Sequence, residues 1–325
     1  EMAATTMDLS SNAVIDGTMT AAGGIIQSDT ALLRIQSNTT AAKGVSLGYN
    51  HSTSTATLLA DHQGVNQLAI DYYGLTHTFG RSSSLEFLTI NTSGVVLIGL
   101  ETADAIAGDT PQLQVEGVSA GTSSMSVFRN SNDSNPSQIF LGKSRGTADN
   151  ADTACSAGDI VGRIVWSAAD GTDRANNIAT IKAVVESGIG SNDTPGQLIF
   201  MTNDGQTASE DRMKITGAGQ VLIGADDART VQGFATSLQV EGTAATDSSV
   251  QIVRNSNDIN PPYINFGKTR GSVGGVTAVS NNDILGEISW GGADGNDLNN
   301  VSATIQGVAE ATATNNDTPG RLVFK

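Results

Sequence analysis

Sulfur, aromatic bulk and positive charge are all scarce in this chain, and each shortage removes a class of protein. Its one cysteine, Cys155, excludes an intrachain disulfide framework and a cysteine cage for a metal. The three histidines, His51, His62 and His77, have no ligand spacing and suit isolated surface or packing roles. Lysine and arginine total 17 against 33 aspartates and glutamates, a net charge of −16. That balance repels nucleic acid and anionic membranes, and no basic stripe offsets it. No apolar run reaches the roughly 18 residues of a membrane span, so no membrane insertion is expected. The opening EMAATTMDLSSNAV lacks the basic region and apolar run of a secretory signal. Aromatic residues make up only 4% of the chain, so each residue brings little bulk to a core.

What the chain does have is repetition. LQVEG at 113–117 returns at 238–242, 125 positions later, and RNSND at 129–133 returns at 254–258 by the same shift. After a one-residue slip, DIVGRIVWSAADGTD (159–173) matches DILGEISWGGADGND (283–297), and NDTPGQLIF (192–200) matches NDTPGRLVF (316–324). An earlier, more divergent copy occupies 31–99, where TINTSGVVLIG aligns with KITGAGQVLIG at 214–224. The divisions expected are an N-terminal stalk at 1–30, a divergent first module at 31–112, a second at 113–237 and a third at 238–325. Because the chain starts at Glu1 and breaks off at Lys325 inside a repeat, it is expected to be a piece of a longer protein.

Strand patterning dominates. Ile160, Gly162, Ile164 and Trp166 alternate onto one face, as do Ile284, Gly286, Ile288 and Trp290, with Arg163 and Glu287 opposite. Leu198 and Phe200, like Leu322 and Phe324, stand two apart, and ADG, NDTPG and NSND supply the turns. The spacing predicts an all-β chain of small antiparallel, sandwich-like knobs, each of about five or six strands. Ile164, Trp166 and Phe200, with their copies Ile288, Trp290 and Phe324, are its expected core. RMKITGAGQVLIG reads as two short strands in a thin, glycine-broken stalk. A hairpin that thin is marginal in water, so three intertwined copies are expected to complete its core.

Several motifs suggest chemistry. LGKSRG (141–146) and FGKTRG (266–271) end like a phosphate loop, but Ser137 and Pro262 stand where that loop needs glycine, and no helical pattern follows. The two aspartates in ADGTD (169–173) and ADGND (293–297) can be read as calcium ligands or as turn formers. With no fuller ligand set nearby, the turn is the simpler reading. Glu186 and Glu310 are repeat equivalents, whereas a glycosidase needs two facing carboxylates. Trp166 and Trp290 could stack on sugars, but their place in the period-two pattern favours packing. No catalytic residue, cofactor site or metal site is assigned.

NDTPGQLIFMTNDGQTASEDRMKITGAGQVLIG, with its turn, strand and glycine-broken hairpin, resembles the distal repeats of bacteriophage tail fibres and tail spikes, of a type common in marine phages and cyanophages. MDLSSNAVIDGTMTA, LQVEG and RNSNDINPPYINFGKTRG look like the same family. The resemblance implies an elongated homotrimer, with two sister chains as partners, located in the virion. It further implies attachment to the phage tail or other virion proteins, and a host surface glycan or protein as receptor. Two other readings differ by what they require. A polysaccharide-depolymerising spike needs a carboxylate pair in the unrepeated stretch 50–80, where only Asp61 and Asp71 stand out. A cellular surface adhesin or filament protein needs a secretion signal.

Overall fold

The computed structural model describes residues 30–36, 43–50, 55–62, 77–82, 85–206 and 208–325, with side chains from Leu88 onward. The expected N-terminal stalk, apart from Thr30, lies outside the described residues, as do His51 and Asp71. Every regular element among the described residues is a β-strand, as the period-two pattern requires. The chain divides into two compact units. In the first, β1 (Thr30–Gln36), β2 (Lys43–Asn50) and β3 (Thr55–His62) form an antiparallel meander in which Leu47 lies between Leu33 and Leu58.

The next sheet contains β4 (His77–Ser82), β5 (Leu85–Ile90), β6 (Val96–Ile98) and β7 (Leu113–Val115). β6 and β7 run parallel, pairing Leu97 with Gln114, and parallel neighbours need a crossover of about a dozen residues. That crossover folds over the strand pair because the Gln114 side chain imitates a strand. Its amide accepts the Asp104 N–H at 3.0 Å and donates to the Asp104 and Pro111 carbonyls at 3.1 and 3.2 Å. Leu97, on the covered face, is fully buried.

The second knob is a six-stranded sheet made of β8 (Ile160–Ala168), β9 (Asn176–Val185), β10 (Gly196–Thr202), β11 (Glu210–Ile215), β12 (Val221–Ile223) and β13 (Leu238–Val240). Its first three strands are antiparallel, and β11–β12 is the glycine-broken hairpin. The stalk segment is therefore not a separate thread: β11 pairs directly with β10 and extends the knob's sheet. β12 and β13 repeat the parallel pair, with Leu222 beside Gln239 and fully buried. Gln239 makes the same clamp, now to Arg229, at 3.0 and 3.1 Å. LQVEG thus completes the sheet preceding it in both copies, and the divisions at 112/113 and 237/238 run through a sheet.

Gly99 and Gly224 follow these parallel strands with φ of +80° and +75°. A Cβ there would lie 2.2 and 2.1 Å from the carbonyl oxygens of Glu116 and Glu241. Only glycine accommodates both the left-handed backbone and that approach, which explains why VLIG is retained in each copy.

The third knob, β14 (Ile284–Gly291), β15 (Val301–Ala309) and β16 (Gly320–Phe324), copies β8–β10 down to the irregularities. Its register shifts fall between Ile284 and Gly286 and between Trp290 and Gly291, matching Ile160/Gly162 and Trp166/Ser167.

Within one chain the expected core is aligned but only partly covered. Ile164, Ile181 and Phe200 do align across β8–β10, as Ile288, Ile305 and Phe324 do across β14–β16. Yet Ile164 is 53% exposed, Trp166 46%, Ile288 48%, Trp290 51% and Phe324 71%, with Phe200 half-buried. Most of the residues buried in the chain point the other way, Thr180, Ile199 and Leu222 in the second knob and Thr304, Gln306 and Val308 in the third, with Val185 and Ala309 buried at the strand ends on the open side. Within one chain each knob is a single sheet. A sheet has two faces, and the chain supplies cover for only one of them.

Candidate functional site

The Gly-Lys-Ser/Thr segments sit where extended backbone crosses the start of each knob. Their glycines are not what fixes them. Leu141 lies against Gly162 in β8, and Phe266 against Gly286 in β14, where a Cβ would come within 2.6 and 2.4 Å of the crossing side chain. The cations then turn to an aspartate at the head of the strand. Lys143 Nζ is 3.0 Å from the Asp159 carboxylate, and Arg145 grips it through Nε and Nη2 at 2.7 and 2.9 Å. The Ser156 N–H completes the set at 2.9 Å. In the third knob Arg270 holds Asp283 at 2.7 and 2.8 Å, Lys268 stands at 3.7 Å and the Ser280 N–H donates at 2.8 Å.

Arg145, then the Ser156 N–H and Lys143, hold the Asp159 carboxyl well below the usual carboxylate range. Arg270 followed by the Ser280 N–H does the same for Asp283. A lysine already paired with a carboxylate does not present a free cation to a phosphate. The motif is a fastening that pins an extended segment to a strand. Sequence reading passed over Asp159 and Asp283, although each heads its repeated strand as DI.

The other repeated polar motifs are also self-contained. Arg129 bonds Asp133 through both nitrogens at 2.5 Å and reaches the Asn135 carbonyl at 2.7 Å, closing the RNSND loop; Arg254 and Asp258 repeat this. In the ADG turns, Asp170 accepts the N–H groups of Thr172 and Asp173 at 2.8 and 3.2 Å, and Asp294 accepts those of Asn296 and Asp297 at 2.8 and 3.0 Å. Asp173 and Asp297 each accept one further backbone N–H, so these carboxylates are engaged in shaping the turn. Glu186 accepts the Gly217 N–H at 3.1 Å, tying β9 to the hairpin, and Glu310 lies 3.8 Å from Arg321.

Where each knob meets the preceding crossover, a tight turn docks on the ADG hairpin. The Ala107 N–H donates to the Arg174 carbonyl at 2.9 Å and the Gln232 N–H to the Leu298 carbonyl at 3.0 Å. Across the first joint Arg174 forks onto Glu116 at 3.0 Å. At the second joint the equivalent of Arg174 is Leu298, and Arg229, at the place of Asp104, pairs with Glu241 instead. The glutamate is kept while its cation has moved to the opposite strand connection. Comparing the two copies at 104/229 and 174/298 would have revealed this.

The repeated polar motifs are thus engaged with one another, and the described surface offers two broad apolar features. One is the open face bearing Ile164 and Trp166, or Ile288 and Trp290. The other is the irregular arm that precedes each fastening, in which Phe128, Phe140, Tyr263 and Phe266 are all exposed. What these surfaces can do is bind other protein, by burial of apolar area. No helix among the described residues is long and apolar enough to cross a membrane.

No protein-family model matches the chain, and no curated protein sequence is similar to it. Solved structures do match. The carboxy-terminal domain of the bacteriophage T5 L-shaped tail fibre aligns with 62% of this chain and 82% of its own, at 13% identity and a TM-score of 0.47. The same domain with its intramolecular chaperone domain aligns with 62% of this chain and 56% of its own, at 13% identity and a TM-score of 0.50. The chain has an all-β fold similar to that of a phage tail-fibre domain.

Proposed function

We propose that this chain is a structural and adhesive segment of a bacteriophage virion fibre, working as a parallel homotrimer that extends toward the host surface. The observation that carries the reading is the open apolar face repeated on each knob, with a tryptophan and two isoleucines left half in water. At about 25 cal/mol per Å2, so much apolar surface favours cover by sister chains. The fold similarity to a tail-fibre domain supplies the setting.

In this reading the proximal partners are the phage tail or other virion proteins, and the distal partner is a host surface glycan or protein. The fibre acts by binding and not by cleavage, consistent with Glu186 being held by a backbone N–H in its own sheet. Light scattering of the intact chain is expected to give three times its 33.3 kDa mass. A monomer at micromolar concentration would overturn the proposal.

A further inference from the structure

The arm of each knob, residues 123–142 and the copy at 248–267, has less to hold it than any other part of the knob. It runs without a strand partner, and residues 125–142 and 250–267 make no backbone–backbone hydrogen bond. Apart from Asn135 and Asn260, whose N–H and carbonyl groups bond to the Arg-Asp pairs beside them, such backbone is left without backbone partners for its donors and acceptors. Its side chains are apolar on both sides: Phe128 and Phe140 are 81% and 83% exposed, and Val253 and Ile264 in the copy are exposed as well. Beyond its first two serines, whose hydroxyls bond back to the preceding turn, the arm is fixed within its own chain at two places. Arg129 and Asp133 pin the tip, and Leu141 over Gly162 seats the end beside the Asp159 fastening.

A surface with the complementary need lies on the same knob. β8 and β14 each have a single ladder neighbour, so each presents an open edge. Beside that edge lies the exposed face of Ile164 and Trp166, or of Ile288 and Trp290. In the third knob a groove of about 360 Å3, lined by Ile264, Phe266, Ile288, Ile305 and Leu322, runs between the arm's end and the sheet. Edge and arm are unfilled in both copies.

We propose that the arm of one chain adds as a strand to the β8 edge (β14 in the third knob) of a sister chain, laying its apolar side chains over that chain's open face. The proposal rests on the trimeric reading above and specifies which surfaces meet. Strand addition satisfies the arm's backbone and the edge's backbone together, while alternate side chains enter the apolar layer. An arm given and an edge received are different surfaces, so the contact is heterologous and closes as a ring. Three parallel chains around one axis form such a ring.

The test places a photo-reactive phenylalanine analogue at Phe128 in the full chain, with trimers assembled from a mixture of ordinary and 15N-labelled chains. Cross-linked peptides are expected to join position 128 to residues 160–168 of a chain carrying the other label. A second variant, Val127→Pro, removes an N–H that has no partner in the isolated chain. It is expected to lower the melting temperature of the trimer, whereas an unpaired arm would tolerate it. A trimer whose cross-links stay within one chain or avoid 160–168, or whose melting ignores Val127→Pro, overturns the arm exchange and leaves the trimeric fibre standing. A monomer removes both.

Discussion

Asp159 and Asp283 show how a residue can carry a motif whose name points elsewhere. The sequence draws the eye to Lys143 and Lys268, yet the chemistry is a carboxylate surrounded by two cations and a backbone N–H. Hydrogen bonds to the charged form favour that form, so the folded protein holds Asp159 below the ordinary aspartate value of about 3.9. A depressed folded pKa contributes stability that is fully present above the unfolded pKa. It is lost as pH falls below about 4 and through the folded value. Asp159→Asn is therefore expected to lower the melting temperature at pH 7 and to flatten its decline between pH 4 and pH 2. Thermal melts across that range check it; an unchanged profile would mean that the carboxylate is not a fastening.

At the element scale, the period-two pattern carries two separate statements. It says which residues share a face, and the ladder registers Ile164–Ile181–Phe200 and Ile288–Ile305–Phe324 follow it. It does not say what covers that face. Trp166 and Trp290 are half-exposed in the chain, so their contribution depends on assembly. In the proposed trimer, Trp290→Ala is expected to cost about 3–5 kcal/mol, the usual range for emptying a buried aromatic site. Trp166→Ala should cost a similar amount because the two occupy copies of one sheet. If either tryptophan were instead a sugar platform, truncation would spare the melting temperature and weaken adsorption to cells. Melting temperature and adsorption measured on both variants distinguish these outcomes.

For the whole molecule, the open faces of the second and third knobs are the governing feature. A sheet that leaves Trp166 and Ile164, or Trp290 and Ile288, half in water has little margin once conformational entropy is counted. The chain's stability is therefore expected to be inseparable from its concentration. Scanning calorimetry at two concentrations tenfold apart should show the higher melting temperature in the more concentrated sample. A reversible transition at one fixed temperature would indicate that each chain is stable alone. Within the second unit, Arg174–Glu116 fastens the second knob to the crossover before it, whereas Arg229–Glu241 braces the next crossover against the strand it leads to, and the third knob is held there by the Gln232 N–H on the Leu298 carbonyl. These pairs are exposed, so each contributes on the order of 1 kcal/mol or less and sets register more than stability.

The sequence by itself determined the strands, the turns, the repeat of 125 positions and the side of each strand on which an apolar residue falls. These follow from local chemistry: alternation fixes faces, and Asp-Gly and Asn-Asp favour turns. Local chemistry could not show that β11 would pair with β10 to continue one sheet, or that LQVEG would complete the sheet before it. It could not show that Lys143 would meet Asp159 either, because a pair separated by 16 positions is created by the path of the chain and not by its pattern. The tertiary structure also decided which face stays open. Burial depends on what lies opposite, and opposite Trp166 and Trp290 a single chain places nothing that buries them.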